Sequence, residues 1–244
     1  VNALRSMTFI EIKQFLREPI NSAMALGLPT ALMIVFGNIE GMVTPDVQWG
    51  GLRFIDYFGP SLVVITVAVL ALQSMPSYIA TYREKGVLKR LSTTPVSPIM
   101  LIGAQLLTQL AASVGAVVLL MLVGRFGFDV PLPNHPVDFI LAFVLGLSAL
   151  FTMGLLLAAV VPNGRSATAA GFVLFIPTLF FAGVYAPRPF LPDFVVNFGG
   201  YFPPSVQALQ DSWTGNGANP WHLVTMAGIV LVLGPITAKI FRWT

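Results

Sequence analysis

Charged residues are scarce in this 244-residue chain: 9% are Asp, Glu, Lys or Arg, where soluble domains carry about a quarter. With 56% hydrophobic residues and a mean hydropathy of +0.82, such a chain belongs in lipid. Cysteine is absent, which excludes disulfides and thiolate metal sites. No apolar run carries an acid, a base or a histidine at its centre. That argues against a proton-coupled carrier, which needs an intramembrane group to hold the proton. A potassium-type filter is missing too. So are the phosphate-cradling G-x-x-x-x-G-K-[ST] loop and the G-x-S-x-G and H-E-x-x-H motifs of hydrolases. His135 and His222 have no metal-ligand spacing. The chain therefore reads as a non-enzyme without a metal or a cofactor of its own, and any energy from ATP has to come from another polypeptide.

What is present is a series of apolar runs. A helix needs about 20 apolar residues to cross the hydrocarbon core, and six stretches qualify: 20–39, 58–80, 99–123, 137–161, 167–184 and 221–241. Their basic residues fall on alternate sides. Arg5, Lys13 and Arg17 precede the first run, and Arg83, Lys85, Lys89 and Arg90 follow the second. Arg165 lies between the fourth and fifth, and Lys239 and Arg242 lie at the end of the chain. Only Arg53, Arg125 and Arg188 fall on the other side. Because cytoplasmic loops accumulate Lys and Arg, both ends are expected in the cytoplasm. The sequence pI near 9.5 is then a topology signal and not a nucleic-acid patch. The expected fold is an all-α membrane protein, one domain over 1–244 with six transmembrane helices. Short outer loops suit a bacterial plasma membrane.

Three connecting segments carry more than charge. Residues 1–19 form an amphipathic helix: Leu4, Phe9, Ile12, Phe15 and Leu16 lie within about 140°, opposite Lys13, Gln14, Arg17 and Glu18. It is expected to lie in the cytoplasmic interface and to end at Pro19. Residues 81–98 form the longest polar stretch on that side, with a short amphipathic turn around Leu88 and Leu91. On charge alone this is a solvated positive-inside loop. Outside, 185–219 is proline-broken and aromatic-rich, a composition tolerated at membrane depth only under cover of protein or water. Short re-entrant helices are expected at 190–198 and 205–213; an interfacial aromatic belt is the other reading. Within the runs, the uncharged polar residues include Gln73, Gln105, Gln109 and Thr178. Small residues Ser166, Ala167, Ala170 and Gly171 allow close approach of the fifth span. Its Phe172, Phe175, Phe180 and Phe181 are either lipid-facing bulk or the wall of a greasy substrate path.

Three motifs, in order, resemble the membrane (permease) subunit of type-2 ATP-binding-cassette exporters. Arg17-Glu18-Pro19 precedes a first span ending Val35-Phe36-Gly37. Arg83-Glu84-Lys85-Gly86-Val87-Leu88 is followed by Thr94-Pro95-Val96-Ser97, with Val87 where the family commonly has Thr. Phe181-Ala182-Gly183-Val184-Tyr185-Ala186-Pro187 leads to Leu191-Pro192 and Pro203-Pro204. The resemblance implies that 81–98 is a coupling loop docking on a cytoplasmic P-loop ATPase subunit, through Arg83, Glu84, Lys85, Gly86, Leu88, Lys89 and Arg90. It implies that 1–19 is a connecting helix beside that loop. It implies a re-entrant turn at Gly183, Tyr185, Pro187, Pro192, Pro203 and Pro204. Two permeases, identical or homologous, would pair around a path lined by the second and fifth spans. Gln73, Phe172, Phe175, Thr178, Phe180 and Phe181 would line that path, and ATP and magnesium would bind on two partner ATPases. A drug-like or lipid-like cargo suits so apolar a path. A non-transporting scaffold and a secondary transporter are the competing classes.

Overall fold

A computed structural model describes residues 2–18, 22–91, 93 and 97–241. Pro19, Thr94, Pro95 and Val96 of the motifs, and Arg242 of the charge pattern, lie outside the described residues. The chain is 81% helical, with no strand among the described residues. The helices are α1 (Asn2–Arg17), α2 (Ala23–Gly37), α3 (Phe54–Glu84), α4 (Val87–Leu91), α5 (Pro98–Phe128) and α6 (Pro136–Val160). They continue as α7 (Gly164–Phe181), α8 (Asp193–Tyr201), α9 (Val206–Trp213) and α10 (Pro220–Ile240).

Among the described residues five helices, α3, α5, α6, α7 and α10, are long and apolar enough to cross a bilayer. The first expected span is represented by the shorter apolar helix α2. At 1.5 Å per residue its length is about 22 Å, short of the roughly 30 Å of a hydrocarbon core. Its end is set by Asn38, whose side-chain amide donates back to the Ile34 carbonyl at 2.7 Å, and by Gly37, which packs directly on the Phe128 ring. α3 outruns its expected bounds in both directions. Its apolar run is extended by Phe54–Tyr57 at one end and by Thr81–Glu84 at the other.

α3 is the centre of the bundle. Of its most apolar window 94% is buried, against 11% for α10. The reason lies in what surrounds it: α2, α5, α6, α7 and α9 all pack on it. α10 rests mainly on α6, and α1 on α5. A π-helical segment, Val69–Ser74, interrupts α3. There the Met75 N–H bonds the Leu70 carbonyl, and Pro76 has no N–H to give to the next one, Ala71. The widened turn pushes its carbonyls outward. Gly154 of α6 meets the Ala71 carbonyl and Gly171 of α7 meets that of Leu72, so two glycines admit a backbone that any Cβ would obstruct.

Candidate functional site

Two clusters form at opposite ends of the bundle, and the basic end holds the expected coupling turn. α3 stops at Glu84, and Gly86 follows in the left-handed region at φ +66°. Its N–H donates to the Arg83 carbonyl at 3.0 Å, and its own carbonyl receives the Arg90 N–H at 3.0 Å. This left-handed residue is what reverses the chain into α4. No atom lies within 4 Å of a Cβ built there, so the requirement is conformational and not one of space. Leu88 points inward, 1% exposed, and fastens α4 to the bundle. Lys85, Lys89 and Arg90 are exposed.

Arg83 and Glu84 have partners within the chain. The Arg83 guanidinium donates to the Ala159 carbonyl at 3.4 Å and also to that of Val161, at the C-terminal end of α6. The Glu84 carboxylate accepts the Gly164 N–H at 3.2 Å, at the N-terminal end of α7. Each charge meets the helix end whose dipole it complements. Gly164 also packs against the Thr81 hydroxyl, so the turn between α6 and α7 is clasped to the last turn of α3. Arg165 stands exposed beside it.

α1 reaches the same end. Tyr82 donates to the Glu11 carboxylate, 2.8 Å from one oxygen and 3.0 Å from the other, and Tyr78, one turn up α3, donates to Glu18. Glu11 is only 6% exposed. Burial raises its pKa above the usual carboxylate value; the Tyr82 hydrogen bond partly opposes this, and the Glu18 charge adds to it. The expected apolar sector of α1 is therefore divided. Phe15 is buried, whereas Phe9 and Leu16 face outward. The buried face instead includes a carboxylate that the helical pattern did not single out.

Between α1, the start of α2, α3 and α7 lies a cavity of about 450 Å³, within the range of small-molecule sites. It brings together Gln73, Phe172 and Phe175 of the expected path, with Glu18 and Lys85 on its wall. Thr178 is apart from it, buried and donating to the Leu174 carbonyl of its own helix at 2.8 Å. Phe180 and Phe181 are also apart. Phe181 packs at tilted angles on Phe198 and Phe202, ring centroids 5.2 Å and 5.0 Å apart, fastening α7 to the segment after it.

The opposite end is held by side chains as well. Arg53 grips Asp56 with two hydrogen bonds of 2.7 Å and reaches the Phe128 and Asp129 carbonyls, each at 3.0 Å. The hydrogen bond to Asp56 raises the Arg53 pKa, against the effect of its partial burial. Arg188 donates to Gln210 at 2.9 Å, and Gln210 donates in turn to the Tyr57 carbonyl at 3.1 Å. The segment expected to re-enter the membrane contains α8 and α9. Gly183 turns at φ +72° and Pro203-Pro204 is cis. Pro204 packs on Gly146, while Pro187 and Pro192 immediately precede helical turns. Tyr185 is exposed.

The sequence profile described as ABC-2 type transporter matches residues 2–209. A Cyanophora paradoxa protein named as a transport permease, ycf38, is 29% identical over 192 residues, 77% of this chain and 64% of that protein. ABC transporter G family member 20 of Dictyostelium discoideum is 26% identical over 165 residues, 66% of this chain and 22% of that one. The match thus covers less than two thirds of either relative's length.

Proposed function

We infer the working of this chain from one premise: it belongs to the ABC-2 type transporter family, matched across residues 2–209. It is a membrane transport subunit. Our reading is that it forms the transmembrane half of an ATP-driven exporter of hydrophobic or amphipathic molecules. α2 serves as the sixth span, and both ends of the chain then face the cytoplasm of a bacterial cell. α8 and α9 dip into the outer leaflet. The exposed Lys85, Lys89 and Arg90 dock on a cytoplasmic P-loop ATPase that binds ATP and magnesium. Two such ATPases serve a pair of permeases.

The observation that carries this reading is the position of the R-E-K-G turn. It caps the most buried helix of the bundle, and the Arg83 and Glu84 clasp ties it to α6 and α7. A force applied to the turn therefore reaches three long helices together. Nucleotide shifts such a bundle between inward- and outward-open packings only through its different affinity for the two.

The test is gentle purification from the native membrane, followed by mass spectrometry. A stoichiometric P-loop ATPase is expected, with one permease species if the pair is a homodimer and two if it is not. Repeated recovery without an ATPase refutes the reading. So does efflux that stops when ion gradients are dissipated yet survives ATP depletion.

A further inference from the structure

The outward side of α1 sets charge and apolar surface in a particular order. Arg5, Phe9, Ile12 and Leu16 follow one another at i, i+4, i+7 and i+11, so they form one stripe along the helix. Arg5 is exposed, and Phe9 and Leu16 are 68% and 61% exposed. The stripe therefore has a guanidinium at one end and apolar side chains behind it, over about 16 Å at 1.5 Å per residue. α5 supplies a facing stripe of Leu107, Ala111, Gly115 and Leu119 at four-residue steps, all exposed. Hollows of about 890 Å³ and 350 Å³ lie between the two helices. Arg5 and Leu107 line the first, Leu16, Ala111 and Gly115 line the second, and Ile12 borders both. Leu4 packs on Gly103 near the start of α5, so the charged end of the seam is its basic-end terminus and the apolar end reaches the middle of a span. Charge on this side is of one sign. Lys13 and Arg17 are exposed, and among the described residues neither they nor Arg5 form an ion pair. The sole acid of α1, Glu11, is turned inward to Tyr82, and α5 has no acid.

We propose that the seam between α1 and α5 binds an anionic phospholipid from the leaflet at the basic end of the bundle. Its phosphate rests on Arg5, by a charge-assisted hydrogen bond of the kind guanidinium makes best, and Lys13 and Arg17 add to the attraction. One acyl chain lies along Phe9, Ile12 and Leu16, in the slot left open by the small side chains of Ala111 and Gly115. Gly115 stands midway along a helix long enough to cross the bilayer. An acyl chain reaches that depth, and a water-soluble ATPase does not. Bound there, the lipid holds α1 on α5 as Tyr82 holds it on α3. The site needs a membrane around the bundle and neither a cargo nor an ATPase.

Dioleoyl phosphatidylglycerol and dioleoyl phosphatidylcholine have the same chains and differ in net charge, so the pair isolates the headgroup. Each is titrated into the purified chain in neutral detergent, and native mass spectrometry counts the lipid retained. Phosphatidylglycerol is expected to bind about fivefold or more tighter, and glycerol phosphate, which has no chain, is expected not to displace it. Arg5→Gln, an exposed substitution, should lower the preference about fivefold. Gly115→Leu fills the slot, and nothing lies within 4 Å of a Cβ at that position. It should lose phosphatidylglycerol while eluting as a monodisperse peak like the wild type. Gly127→Leu, equally unobstructed but at the other end of α5, should retain the lipid. Equal retention of the two lipids overturns the proposal, and so does an undiminished preference in Arg5→Gln or undiminished retention in Gly115→Leu. Displacement by glycerol phosphate overturns it in favour of a soluble anion. Loss of a co-purifying ATPase from Arg5→Gln with the lipid preference intact overturns it in favour of the ATPase. The titration uses no ATPase, so a missing ATPase refutes the exporter reading and leaves the lipid result standing.

Discussion

Replacing Gly154 by Ala adds one methyl group at the place where the bundle has least room for it. The new Cβ would lie against the Ala71 carbonyl, inside contact distance, with the Ala71 carbonyl carbon 3.1 Å away. The obstacle is main chain of the π segment, held on its other side by Gly171, so no flexible side chain can swing away. Overpacking of this kind costs about 1–3 kcal/mol, and a rigid obstacle places it at the upper end. Against this, Ala is better than Gly in a helix interior by about 1 kcal/mol. The net loss is about 2 kcal/mol, which for a chain of this size lowers the midpoint of unfolding by about 4–8 °C.

Gly228→Ala on α10 is the control. Nothing lies within 4 Å of a Cβ there, so only the propensity gain applies and the variant should match or exceed the wild type. Heating each variant in detergent and measuring the fraction that elutes as a monodisperse peak compares them directly. If Gly154→Ala proves as stable as Gly228→Ala, the close approach of α6 to the π segment is not a constraint, and the account of how α3 is seated fails.

Glu11 gives a pH prediction. Its folded pKa is raised by burial, so its contribution is most favourable below the ordinary carboxylate value and is lost as pH rises through the raised one. Glu11→Gln should flatten that fall in a heating series from about pH 4 to about pH 8, and an unchanged slope would assign it to another group. Gly86→Ala forces a left-handed residue to carry a Cβ, at a cost of about 1–2 kcal/mol. The chain should stay folded while recovery of the ATPase in co-purification drops; undiminished recovery would remove Gly86 from the docking turn. Gln210→Leu removes the hydrogen bond to the Tyr57 carbonyl and deprives Arg188 of an acceptor, a loss of about 1–3 kcal/mol. Limited proteolysis should then cut within 185–219 faster than in the wild type, and equal rates would show that the clasp does not order that segment.

What sequence reading recovers here follows the range of the interactions. Five apolar runs stand as long helices because span length is local information, written in 20 or so consecutive side chains. The short helix at Val87–Leu91 and the helix ending at Trp213 were expected from Leu spacing and proline stops, again within a few residues. The shortness of α2 was not visible: the apolar run continues to Ile39, but an Asn38 side chain and a phenylalanine 91 residues away at Phe128 decide where the helix stops. Nor does periodicity mark a π segment. Only Pro76, just beyond it, gives a signal, and it is one that proline in any span would give.

The site divides along the same line. Gln73 of α3 and Phe172 and Phe175 of α7 line one cavity, because the small residues of α7 admit its close approach to α3. Glu18 was read on the polar side of α1 and Glu11 was not singled out, and both turn out to face tyrosines more than 59 residues onward. One signal was available, two tyrosines at i and i+4 on the cytoplasmic end of a span, a spacing that puts both hydroxyls on one face. Arg83 and Glu84 show a deeper limit. Charges in a basic loop invite assignment to a partner, yet each finds a helix end about 80 residues away in its own chain. The consequence is mechanical. Tyr78, Tyr82, Arg83 and Glu84 fasten one end of α3 to α1, α6 and α7, and Arg53, Tyr57 and Ser61 fasten the other end to α5, α9 and the turn after α7. A helix tied at both ends cannot slide alone, so in the exporter reading any displacement of the docking turn has to be a rearrangement of the bundle.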